Sequence, residues 1–169
     1  MNIREALLTE HSKRQTMAIV RYIDNDPTRF KELMDNFLGD TYRVSQRAAW
    51  AVSYCAEQHY DLVKPYFGRL VTQLECDDAH VAVRRNVARL LQFVEIPDRY
   101  RGRVFEACYR LVDNPDQPVA VRVFALTVAV RIANGKRDLL DELRLIVEKH
   151  APHTTIAFRK RASIVLPQN

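Results

Sequence analysis

The chain has 169 residues, 47% of them hydrophobic and 28% charged, with a formal net charge of +5. That length suits one domain with a substantial core, and that balance excludes disorder. Only four glycines occur, and no apolar run approaches the ~20 residues that cross a bilayer, so turn-rich all-β folds and membrane-spanning helices are excluded as well. Arg4, Glu5, Glu10, Lys13 and Arg14 leave no apolar stretch for a secretory signal. The three cysteines, Cys55, Cys76 and Cys108, lack CxxC spacing and are odd in number, against a closed disulfide framework. These features predict a reduced, cytoplasmic protein.

In chain order, residues 2–9 predict a short helix, followed by a second from Ser12 to Ile23, where Ser12 and Gln15 resemble a capping box. Pro27 opens a helix whose apolar stripe is Phe30, Leu33, Met34 and Phe37, closed near Gly39. The next carries a different pattern, Val44, Ala48, Ala49 and Val52, a face of small residues that admits a close neighbour. Beyond Pro65 the first pattern returns as Phe67, Leu70, Val71 and Leu74, and the second as Val83, Val87, Ala88 and Leu91. Beyond Pro97 they return again, as Phe105, Cys108, Tyr109 and Val112, then after Pro118 as Val121, Ala125, Leu126 and Ala129. Asn134-Gly135 supplies a left-handed helix end. Leu143, Ile146 and Val147, then Phe158, Ala162, Ser163 and Leu166, complete the series.

The small-face pattern advances by 39, 38 and 37 residues, and the stripe pattern keeps step 14 to 16 residues ahead of it. Two patterns moving together define a repeating helix pair, here a first helix (A) and a second (B). The pairs fall at roughly 1–25, 26–59, 60–96, 97–134 and 135–169, with no linker long enough to divide the chain, so one domain over 1–169 is expected.

Val83-Arg84 and Val121-Arg122 followed by alanine, with Phe158-Arg159 as a variant, resemble the HEAT-like, armadillo-type α-helical repeats. Asp78 and Asp116 lie five residues before their valines, and Asp40 four before Val44; Ser45 and His153 depart from the pattern. The resemblance implies an all-α fold, a right-handed α-solenoid of about four to five helix pairs. It also implies a ladder of Asp and Arg side chains between turns, with the B helices lining a concave surface.

Charge divides unevenly between the two kinds of helix. The A helices carry twelve basic and eleven acidic residues, whereas the B helices carry thirteen basic residues against Glu57 and Glu95. On the geometry the resemblance implies, Arg47, Trp50, Tyr54, Arg85, Arg89, Phe93, Thr127, Arg131, Lys160 and Arg161 face the groove. The first B helix adds Arg14, Arg21 and Tyr22. Arginine interleaved with aromatic rings suits carboxylate or phosphate recognition, by bidentate hydrogen bonds and stacking. Trp50 and Tyr54 suit packing between neighbouring repeats equally well.

No Walker loop, GxGxxG, GxSxG or HExxH is present, and His150 and His153 lack the further ligands a zinc site needs. Neither a cofactor nor a metal is expected. Some HEAT-like proteins are DNA glycosylases that use an acidic residue on the concave face. Here no aspartate falls in the inferred groove, and no catalytic residue carries over. The sequence therefore reads as a non-catalytic binding module with a basic groove for a protein or acidic peptide. The alternative is binding of a nucleic-acid backbone, with a glycosylase relative as the remote third reading. A monomer or a weak end-to-end homodimer is expected, because little covers the last repeat.

Overall fold

The computed structural model describes residues 1–39 and 41–166, and among them are ten α-helices, three single 3₁₀ turns and no strand. Asp40 lies outside the described residues. The chain divides into two compact units, Met1–Leu90 and Leu91–Asn169. The first is built from α1 (Ile3–Thr9), α2 (Lys13–Ile23), α3 (Pro27–Gly39), α4 (Tyr42–Gln58), α5 (Phe67–Glu75) and α6 (Val81–Leu91), whose final residue opens the second unit. The second holds α7 (Asp98–Asp113), α8 (Val119–Ala133), α9 (Arg137–His150) and α10 (Ile156–Val165).

Helix starts follow local chemistry. The Asn2 carboxamide oxygen accepts from the Glu5 N–H at 3.1 Å, and Ser12 Oγ accepts from the Gln15 N–H at 3.1 Å. Only half of the expected capping box forms, because Gln15 Nε2 donates instead to the Ala6 carbonyl at 2.9 Å, tying α2 to α1. Asp26 caps α3 by accepting from Thr28 and Arg29, with Pro27 at the first helical position. Gly135 takes φ +77 directly after the Asn134 cap of α8, the left-handed end that dipeptide predicts.

Helices of like parity pack on one another at four places within the two units. In the first, α1 packs on α3 and α2 on α4; in the second, α7 packs on α9 and α8 on α10. Both sequence patterns point inward. Phe30, Leu33, Met34 and Phe37 are wholly buried, as are Val44, Ala48 and Val52, and Val121, Ala125, Leu126 and Ala129. A fully buried Phe or Leu contributes roughly 1.5–3 kcal/mol, so these two faces supply the main drive for pairing. The last pair is covered least: Ser163 is exposed, Val147 and Leu166 are half-buried, and Leu145, Ile156 and Ile164 stand in solvent.

The residue after each register position performs one task throughout. Arg122 donates from Nε and Nη2 to the Val112 carbonyl, at 3.0 and 2.8 Å. Arg84 donates to the carbonyls of Cys76 and Asp77, and Arg159 to that of Ala151 at 3.1 Å. Ser45, the apparent departure, donates from Oγ to the Phe37 carbonyl at 2.7 Å. Each side chain thus ties its B helix to the end of the preceding A helix, where unpaired carbonyls gather. The expected Asp–Arg ladder does not describe Arg122, which takes a main-chain carbonyl and lies over the Phe158 ring, 4.5 Å from its centroid.

Candidate functional site

The even-numbered helices, the B helices of the sequence, carry thirteen basic residues and one acidic residue, Glu57. Glu95, expected on a B helix, lies beyond the end of α6. The odd-numbered helices carry eleven of each sign. Cations are therefore concentrated on the even-numbered helices.

Within the first unit, Arg21 is exposed, while Arg14 pairs with Glu10 at 3.1 Å. The Arg14 hydrogen bond, with that of Ser12, holds the Glu10 carboxyl below its ordinary range. Arg47 is half-buried and turned to structural work. Its Nη1 donates to the carbonyls of Leu7 and Leu8, at 2.7 and 3.1 Å, and so caps the end of α1 one repeat earlier. Trp50 is half-buried with its ring 5.0 Å from that of His11, and Tyr54 is half-buried one turn further along α4. Arg85 and Arg89 are half-buried on α6; Arg85 lies 5.9 Å from the exposed Tyr42 ring, which also neighbours His80.

The second unit repeats the clasp seen at Arg47. Arg131 donates to the carbonyls of Leu91 and Val94, at 2.6 and 3.3 Å, and burial lowers its pKa from the arginine value. Arg161 donates to Thr127 Oγ1 at 3.0 Å and Gln92 Oε1 at 3.3 Å, whereas Lys160 is exposed. Phe93 is 68% exposed. It stands at a cleft of about 430 Å³ with Ile96 and Ile132 as further apolar walls and Arg101, Arg131 and Lys136 as the cations. Ile96, Arg101 and Lys136 were missed in the sequence because they lie in turns or in the first turn of an A helix, and Ile132 because it falls in the last turn of α8 outside the register positions. Only the exposed position of Phe93 after the α6 register pointed toward them.

Other reactive groups are engaged in the fold. Cys55 and Cys108 are buried, and burial pushes both thiols up to about 12. Asp113 accepts from Lys149 Nζ and lies 2.9 Å from His150 Nε2, and these two contacts hold its carboxyl below the ordinary range. Among the described residues no group of three His, Cys, Asp or Glu is placed to hold a metal ion, and no helix is long and apolar enough to cross a membrane.

Paired helices, two advancing registers and carbonyl clasps one repeat apart define a helical-repeat protein. The sequence profile of the HEAT repeat domain matches residues 3–165, and the chain belongs to the HEAT repeat family. It is accordingly a repeat module of the scaffold and interaction kind. No curated protein and no solved structure matches it.

Proposed function

We propose that this chain is a non-catalytic binding module whose even-numbered helices receive an acidic segment of a protein partner. The observation that carries the reading is the segregation of charge, thirteen basic residues against one acidic residue on the even-numbered helices and parity on the odd-numbered ones. Such a face concentrates an anionic partner before contact. Several arginines already donate to the protein, which holds them in place. A guanidinium has five N–H donors, so Arg47 and Arg131 keep donors for a carboxylate after their carbonyl bonds, with part of the ordering cost already met. The same internal bonds weaken the case for a long polyanion, because Arg84 and Arg122 are buried and Arg47, Arg131 and Arg161 are shared with protein acceptors.

The test uses exposed cations of α2, α4 and α10, so that the fold survives: Arg21→Glu, Arg43→Glu and Lys160→Glu together. Fluorescence anisotropy with a labelled glutamate-rich peptide should show saturable binding to the parent and a loss of about tenfold or more in the triple variant. Circular dichroism should show unchanged helicity. Equal affinity in parent and variant, or no peptide binding even at low salt, overturns the proposal. Binding of DNA or RNA in place of the peptide transfers the face to the nucleic-acid reading.

A further inference from the structure

Six of the seven phenylalanines are buried or half-buried, and Phe93 alone is open to solvent, at 68%. Its surroundings are built rather than incidental. The cleft at its side lies within the second unit, between the turn over residues 92–97 and the turn over residues 134–136. Arg131 ties down the carbonyls of Leu91 and Val94, and Arg101 Nε that of Ile96 at 3.1 Å. Three carbonyls, one before Phe93 and two after it, are thus held by two guanidinium groups, and the same groups supply positive charge at the cleft. Preformed geometry of this kind lowers the ordering cost of binding.

Three properties select the ligand. The volume, about 430 Å³, accommodates one or two side chains and is near the lower end of the ~300–1,000 Å³ range of ligand sites. The walls combine Phe93, Ile96 and Ile132 with three cations and one carboxylate, Glu95. A second cleft of about 320 Å³ shares Arg131 and Asn134 and adds Val130, Leu140 and Val165, so Arg131 borders two clefts with apolar walls. A nucleic-acid backbone would leave these apolar walls unfilled. An extended peptide projects every second side chain to one face. It can therefore seat two apolar residues in the two clefts with a carboxylate between them, opposite Arg131.

We infer that the second unit holds a recognition site for an extended acidic segment of the pattern apolar–any–acidic–any–apolar, centred on Arg131 and walled by Phe93. The inference rests on the reading above that the partner is an acidic protein segment, and it places that segment's anchor. The probe is a fluorescein-labelled peptide with the core Leu-Ser-Glu-Ser-Leu between glutamate flanks, beside a control with both leucines replaced by serine. At exposed positions, Phe93→Ser should weaken the leucine peptide by about tenfold and barely change the weaker control, whereas Lys136→Glu should weaken both peptides. If the leucine peptide binds the parent and both variants equally, the cleft is overturned while the acidic-segment reading stands. If neither peptide binds the parent, both fail. If Phe93→Ser weakens a single-stranded oligonucleotide and not the peptide, the ligand class is overturned.

Discussion

Arg122 stands where three helices of the second unit meet: its own α8, the end of α7 at Val112, and α10 through Phe158. It is 5% exposed, and burial lowers its pKa, an effect partly offset by the nearby Asp113 carboxylate. Arg122→Ala removes a charged donor from a carbonyl, worth roughly 1.5–3 kcal/mol. It also removes a desolvated cation–ring contact of about 1–2 kcal/mol and two buried methylenes at about 0.8 kcal/mol each. Against this runs relief of the cost of burying the guanidinium, several kcal/mol. The net loss expected is about 3 kcal/mol, a fall in Tm of roughly 6–12 °C for a chain of this size. Arg122→Met keeps the buried stem and gives up the carbonyl bond, so about half that loss is expected. Urea unfolding followed by far-ultraviolet circular dichroism measures both. An alanine variant within about 0.5 kcal/mol of the parent, the range of an ordinary surface change, refutes the clasp as a stabilising element.

Three other outcomes follow from the packing. Asn86 is 3% exposed, and its Nδ2 has no hydrogen-bond partner among the described residues. Asn86→Leu should therefore raise stability by about 1 kcal/mol in urea, and a loss of that size would reveal a bonded amide. Native protein treated with iodoacetamide at mildly alkaline pH should be alkylated at exposed Cys76 and spared at Cys55 and Cys108, whose thiols burial pushes up to about 12; peptide mapping reads the result. Lys149 and His150 lower the Asp113 pKa, so the native state binds fewer protons than the unfolded chain as pH falls below about 4, and the stability contributed above that pH is lost on acidification. Asp113→Asn should flatten this acid limb in pH-dependent unfolding and cost less than about 1 kcal/mol at neutral pH, because the pair is partly exposed.

The helix pairs were legible because burial at fixed spacing is the strongest signal an α-helical sequence carries. Phe30 through Phe37 and Val121 through Ala129 lie inward as their spacing requires, and the Asn134-Gly135 cap adopts its expected backbone. The clasps were less legible. Ser45 reads as a departure from arginine, yet its short hydroxyl reaches Phe37 where Arg122 needs its full length to reach Val112. Residue type concealed a shared role, donation to a helix-end carbonyl. For Arg47 and Arg131 the register gives direction and not reach, so the bond each makes to a carbonyl about one repeat earlier was not legible. The cleft was least legible of all. Phe93 and Lys136 come together because successive turns stack, and a register counted along helices leaves turn residues out.

The ligand proposed for the basic even-numbered helices is an acidic protein segment. The most direct test is competition at near-physiological salt: labelled glutamate-rich peptide bound to the intact chain, challenged with unlabelled peptide and with duplex and single-stranded DNA and RNA. Displacement by peptide is expected at concentrations where nucleic acid displaces little, with a shallower dependence on salt than a nucleic-acid backbone gives. Displacement by nucleic acid at lower concentration than peptide, with a steep fall in affinity as salt rises, would contradict the proposal.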